Sequence, residues 1–106
     1  MDIFDLQGKT AIVTGGNKGL GLGISEGLCE AGAAVAIVAS SDSVHGAASE
    51  LAGRGYKSFG IQADLSSRDS LATGFEEAVS LLGGRLDILV NNAGIQRRAR
   101  CEDFSL

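Results

Sequence analysis

The sequence predicts an α/β fold built on a doubly wound parallel sheet, and three observations predict it. Short runs of β-branched and other apolar residues recur along the chain, separated by segments whose apolar residues fall at helical spacing. That alternation marks strand-helix-strand units and a parallel sheet. The first run, Ala11-Ile12-Val13, leads directly into a glycine-rich turn, and the whole chain of 106 residues has sixteen glycines and no proline. Such a composition suits many tight strand-helix connections.

The first strand is expected over about Thr10 to Thr14. The turn opens a helix from Leu20 to Glu30, with Leu20, Ile24 and Leu28 on one inward stripe and Gly32 ending it in the left-handed conformation. Gly23 and Gly27 lower helix propensity, and close packing is the expected reason for them. The second strand, Ala34 to Ala39, is apolar at every position, as a central parallel strand covered on both faces should be. Asp42 and Ser43 are the candidate caps of a helix near Val44 to Ala52. A third strand follows over Lys57 to Gln62. Ala63-Asp64-Leu65-Ser66 then opens a helix through about Leu82, with Leu71, Phe75, Val79 and Leu82 as its core stripe and Gly83-Gly84 as its end. Leu86 to Val90 reads as the fourth strand. Right-handed crossovers give the order 3-2-1-4, with a switch point between strands one and four where a ligand is expected.

Composition excludes several functions. A formal charge of −4 gives no electrostatic reason to bind nucleic acid or an anionic membrane. No apolar stretch has the length of a membrane span, and the start Met1-Asp2-Ile3-Phe4-Asp5 has no basic region, so the expected address is the cytoplasm. Apolar content of 44% and a mean hydropathy of +0.18 argue for a folded chain. Cys29 and Cys101 match no metal or redox spacing and are expected to be reduced thiols, while His45 has no cluster to make it a metal ligand.

The chemistry sits in the turn Thr14-Gly15-Gly16-Asn17-Lys18-Gly19-Leu20-Gly21. Glycine there takes positive φ and lets a diphosphate approach the main chain, and the helix that follows offers unpaired N–H groups and a partial positive charge. Two other motifs compete. Gly8-Lys9-Thr10 looks like the end of a P-loop, but Ile3 stands where that motif needs glycine. Gly19-Leu20-Gly21-Leu22-Gly23 is similar to the first motif of S-adenosylmethionine-dependent methyltransferases, a reading that leaves Asn91-Asn92-Ala93-Gly94 unexplained.

The Thr-Gly-x-x-x-Gly-x-Gly form of the turn resembles the short-chain dehydrogenase/reductase family, and so does Asn91-Asn92-Ala93-Gly94 at the end of the fourth strand. The resemblance runs from Phe4-Asp5-Leu6-Gln7-Gly8-Lys9 to Arg97-Arg98. It implies the N-terminal portion of a Rossmann-like domain, residues 1–106 being a partial dinucleotide-binding domain, that interconverts a secondary alcohol and a ketone with NAD or NADP. By that resemblance Gly15, Asn17, Lys18, Gly19, Leu20 and Gly21 cradle the diphosphate, with Gly15 making the turn and Gly21 packing helix against strand. Asp64 and Leu65 border the adenine, with helix entry as the alternative role for Asp64. Asn91, Ala93 and Gly94 steady the sheet and line the cofactor. Ala39 occupies the position where a carboxylate would select NAD, while Ser40, Ser41 and Lys18 suit a 2′-phosphate, so NADP is favoured over NAD.

Ile95-Gln96-Arg97-Arg98 is similar to the gluconate 5-dehydrogenase and 2-keto-3-deoxygluconate dehydrogenase branch of the family. Arg97 and Arg98 are the candidate carboxylate-binding residues, with solvated or subunit-contact arginines as the alternative. The partner is a small-molecule substrate, and the resemblance implies a homotetramer. The family's serine and Tyr-x-x-x-Lys pair have no counterpart here: Tyr56, the sole tyrosine, is followed four positions later by Gly60. The chain is therefore expected to be a cofactor-binding part without catalytic residues of its own, and a non-catalytic nucleotide-binding protein or partner subunit is the alternative. Its fourth strand is expected to be an exposed edge that makes the chain prone to aggregate.

Overall fold

The computed structural model describes residues 5–15 and 17–92. Its elements alternate as β1 (Thr10–Thr14), α1 (Gly19–Glu30), β2 (Ala34–Ala39), α2 (Ser43–Gly53), β3 (Ser58–Gln62), α3 (Arg68–Leu81) and β4 (Ile88–Asn91). The strands form one sheet in the order β3-β2-β1-β4, all neighbours parallel, with Thr10 opposite Ala34, Ala11 opposite Ile88 and Val35 opposite Ser58. The order and the α/β class are those expected from the sequence, and β1 and β2 have the expected bounds.

The two central strands are apolar throughout because both faces are covered. Ala11, Val13, Val35, Ile37 and Ala39 point to one side, where they meet Cys29 of α1 and Val44 and Leu51 of α2. Ile12, Ala36 and Val38 point to the other, where they meet Ile61, Ala63 and Ala78 and Leu82 at the end of α3. Ile12, Val13, Val35, Ile37 and Val38 have no exposed surface. Each such side chain contributes about 1.5–3 kcal/mol of transfer free energy.

Helix α1 packs differently from the sequence expectation, whereas α3 sets Leu82 in the core with Phe75 and Val79 against it as expected. The buried residues of α1 are Gly21, Ser25 and Cys29. Ile24 and Leu28 lie half-buried beside them, and Leu20 is 65% exposed. Small residues form the stripe because α1 crosses very close to the end of β1. A Cβ on Gly21 would collide with the Gly15 carbonyl oxygen and reach 2.5 Å from Asn92 Nδ2. Ser25 satisfies its buried hydroxyl by donating to Gly21 O at 2.9 Å. Gly23 and Gly27, by contrast, are exposed, and a Cβ on either would meet nothing within 4 Å. Close packing against the described residues is not their reason.

In α3 the fully buried residues are Gly74 and Ala78, with Leu71, Phe75 and Val79 half-buried on either side. A Cβ on Gly74 would lie 2.9 Å from that of Ala63, so α3 too approaches the sheet through small residues. It begins at Arg68, later than expected, because Ser67 is the residue whose side chain caps it, accepting from Ser70 N at 3.3 Å. Asp42 holds the N-cap position of α2 without a side-chain cap bond, and Ser41 Oγ accepts from Ser43 N instead.

β4 is tied to β1 at its start by a compact polar knot. Asp87 accepts from Thr10 N at 2.8 Å and from Arg85 Nε at 2.9 Å, and its own N–H donates to Thr10 O at 3.1 Å. Along β4, half-buried and exposed residues alternate, and Leu89 is 52% exposed. With β3, it forms an edge of the described sheet. No helix among the described residues is long and apolar enough to cross a membrane.

Candidate functional site

Parallel strands end together, so the segments that follow β1, β2, β3 and β4 gather along one rim of the sheet. The rim holds Gly15, Ser40 with Ser41, Asp64 with Leu65, and Asn91 with Asn92. A run of hydrogen bonds joins them. Gly15 N donates to Val38 O at 2.8 Å, fixing the first residue of the turn against β2. Thr14 Oγ1 donates to Asn91 Oδ1 at 3.1 Å, and Asn92 Nδ2 donates to Gly15 O at 3.2 Å. Asn17 Nδ2 donates to Ser43 Oγ at 2.6 Å, and Ser43 Oγ lies 3.1 Å from Ser41 Oγ. Leu65 N donates to Ser40 Oγ at 3.2 Å, and Ala63 N to Ala39 O at 2.9 Å.

The glycine turn has the backbone that the sequence requires of it. Gly15 has φ +67° and Gly19 φ +52°, a region open to glycine and costly for residues with a Cβ. α1 then starts at Gly19 with Lys18 extended at its N-cap, no side-chain cap bond and no acidic residue in its first turn. Its first N–H groups and the positive end of its dipole are therefore available to an anion. Lys18 and Leu20 are exposed beside this helix end. These features fit the diphosphate of a dinucleotide.

At the end of β2, Ala39 is buried and Ser40 exposed, and the hydroxyls of Ser40 and Ser41 are engaged with Leu65 and Ser43 as above. Asp64 is exposed, and its Oδ1 accepts from Ser66 Oγ at 2.6 Å and Ser66 N at 3.0 Å. The Ser66 hydroxyl and N–H hold the Asp64 carboxyl below its usual pKa. Asp64 is not the cap of α3, a position that belongs to Ser67.

Asn92 was not singled out among the predicted site residues, although the Asn-Asn pair at a strand end was the signal for it. Its side chain is completely buried. Ala93, Gly94, Arg97 and Arg98 lie outside the described residues, as does Cys101.

At the opposite rim, where the strands begin, an open cavity of about 580 Å³ is lined by Lys9, Thr10, Cys29, Tyr56, Lys57 and Leu82 among others. Burial pushes the Cys29 thiol up to about 11, against the opposing pull of Arg54. Among the described residues no three His, Cys, Asp or Glu side chains are grouped so as to hold a metal ion.

The family model described as short chain dehydrogenase matches residues 9–106. The chain is 39% identical over 105 residues to gluconate 5-dehydrogenase of Gluconobacter oxydans, covering 98% of this chain and 41% of that protein. It is 44% identical over 94 residues to the 3-oxoacyl-acyl-carrier-protein reductase FabG of Aquifex aeolicus, covering 87% and 38%. Among solved structures, the NADP active-site complex of RhlG from Pseudomonas aeruginosa superposes with a TM-score of 0.75 at 43% identity, over 84% of this chain and 36% of that one. The chain thus spans about two fifths of the length of the curated relatives it matches.

Proposed function

The chain belongs to the short-chain dehydrogenase family, and from that premise we propose that residues 1–106 form the cofactor-binding part of an NADP-preferring oxidoreductase. The observation that carries the reading is the junction of β1 and α1. Two glycines at positive φ lead into a helix end with no acidic residue and no side-chain cap. In this reading Gly15, Asn17, Lys18, Gly19, Leu20 and Gly21 take the diphosphate. Ser40 and Ser41, with Lys18, take the 2′-phosphate, and Asp64 and Leu65 take the adenine. Asn91, Ala93 and Gly94 complete the wall toward the nicotinamide.

The cofactor supplies or accepts a hydride when bound. What these residues contribute is binding and orientation, since the tyrosine and lysine that would handle the substrate proton have no counterpart in the chain. A secondary alcohol or its ketone is the substrate class, and a sugar acid such as gluconate is the candidate, supported by the likeness to a gluconate 5-dehydrogenase. Arg97 and Arg98 are proposed to receive its carboxylate.

Calorimetric titration of the chain with NADPH and NADH tests the cofactor reading. Binding of both with NADPH the tighter is expected, and binding of neither refutes the site. Equal or tighter binding of NADH refutes the role given to Ser40 and Ser41. For the substrate, a full-length form carrying this segment is expected to oxidise gluconate with NADP. Failure across sugar acids, alongside turnover of another alcohol, refutes that assignment.

A further inference from the structure

The rim where the strands begin carries chemistry that the nucleotide reading does not use. Its open cavity of about 580 Å³ falls within the roughly 300–1,000 Å³ typical of small-molecule sites. A Cβ on Gly8, Gly55 or Gly83, which all line it, would meet nothing within 4 Å among the described residues, so the hollow has room to spare. Two cations border it. Lys9 precedes β1 and Lys57 precedes β3, one on each side of the start of β2: Lys9 O accepts from Ala34 N at 3.0 Å, and Lys57 O from Val35 N at 2.9 Å. Among the described residues no Asp or Glu lines the cavity, and neither lysine is in an ion pair. In a chain with a formal charge of −4, this local excess of positive charge favours an anion.

The helix ends work against an anion here, but they are outweighed. All three helices finish on this rim and bring the negative ends of their dipoles to it, each about half an elementary charge. Part of that charge is already answered, since Leu28 O accepts from Ala33 N, Leu51 O from Tyr56 N and Val79 O from Gly84 N. Lys9 and Lys57 carry full charges. Away from them the walls are apolar. Phe59 and Leu81 line both this cavity and a neighbouring one of about 310 Å³ that continues to His45 and Ala48 of α2. Phe59 is half-buried and Leu81 is 45% exposed, which leaves hydrocarbon for a ligand to cover. A bare inorganic anion would leave this surface wet, and a neutral apolar molecule would leave the lysines unused. We propose that this rim binds a small aliphatic carboxylate, its head between Lys9 and Lys57 and its chain over Phe59 and Leu81. The five residues of β1, at about 3.3 Å each, set it about 16 Å from the glycine turn, so it stands apart from the nucleotide reading.

Equilibrium dialysis of the whole chain against radiolabelled octanoate tests the proposal, with circular dichroism to show that each variant is folded. Saturable binding is expected. The double variant K9Q/K57Q should weaken it about tenfold, the scale of two ion pairs partly exposed to solvent. The single variants, each expected to lose about threefold, serve if the double variant does not fold. Leu81→Ser should also weaken binding, since it withdraws hydrocarbon from the chain's path. Arg68→Gln removes an exposed cation that borders neither cavity and should bind octanoate as the wild type does. Octan-1-ol and acetate should compete poorly with octanoate, and saturating NADPH should not displace it. Absence of saturable binding overturns the inference, as does unchanged binding in the lysine variants or an equal loss in Arg68→Gln. Competition by octan-1-ol as strong as that by octanoate overturns the role of the lysines, and displacement by NADPH puts the carboxylate at the other rim and overturns the site.

Discussion

Three glycines of α1 make the structure's most discriminating prediction, because the same substitution should act in opposite directions at positions two and six residues apart. At Gly23 and Gly27 an added methyl group meets none of the described residues within 4 Å. Both are interior helical positions, so Gly→Ala there recovers helix propensity of about 0.8–1.0 kcal/mol each. The double variant G23A/G27A should gain about 1.5–2 kcal/mol, which corresponds to a rise in melting temperature of roughly 4–8 °C per kcal/mol for a domain of this size. At Gly21 the same methyl would overlap the Gly15 carbonyl oxygen, approach Gly15 C to 3.0 Å and meet Asn92 Nδ2. Backbone atoms cannot step aside cheaply, and overpacking of this kind costs about 1–3 kcal/mol, enough to outweigh the gain in propensity. Thermal and urea unfolding followed by circular dichroism at 222 nm would rank the variants. A destabilised G23A would mean that the outer face of α1 is covered, and a stabilised G21A would mean that α1 does not approach β1 as described.

The knot at the start of β4 should make stability depend on pH. Arg85, then the Thr10 N–H, holds the Asp87 carboxyl below its usual pKa, so the stabilisation is complete above the unfolded value near ~4 and is lost as pH falls through the folded value. The urea midpoint should drop as pH falls below about 4, and D87N should flatten that drop; an identical profile in the variant would refute the assignment. Cys29, buried and with its pKa pushed up to about 11, should be inert to a thiol reagent at pH 8 in a Cys101→Ser background and react only on unfolding. Rapid labelling of the folded chain would contradict its burial. Leu89, 52% exposed on an edge strand, should drive self-association of the isolated chain, so that Leu89→Lys shifts it toward monomer in light scattering. An unchanged mass distribution would place the sticky surface elsewhere.

How much of this was legible depended on the kind of signal. β1 and β2 were found to the residue because a strand covered on both faces carries an unbroken apolar run. The strand order followed from right-handed crossovers taken with the doubly wound pattern and its switch point. The packing face of α1 was misread at Leu20, and on α3, where Leu82 is in the core with Phe75 and Val79 packed against it as expected, the closest-packed residues were missed for the same physical cause. Periodicity searches look for large apolar residues, whereas Gly21, Ser25, Gly74 and Ala78 pack by being small, and the large residues sit at the margins or, for Leu20, in solvent. The start of α3 was ambiguous because Asp64, Ser66 and Ser67 all have capping side chains, and only three-dimensional placement shows which one meets a free N–H. The glycine turn was visible since backbone conformation is written in glycine itself. Asn92 was harder, because its distinction is its partner, and Gly15 lies 77 residues away in the chain.

That separation has a consequence for the chain as it is made. Every strand pairing here is parallel, so no neighbouring pair closes by a short turn, and the bond from Asn92 to Gly15 spans nearly the whole described length. A ribosome working at roughly 5–20 residues per second needs about 4–15 seconds to travel from one residue to the other. During that interval the turn has emerged without its anchor, and the first strand without one of its two neighbours. The rim that would greet a nucleotide is thus among the last parts of this segment to be assembled, and nascent chains halted before β4 should expose β1 to any strand that reaches it first.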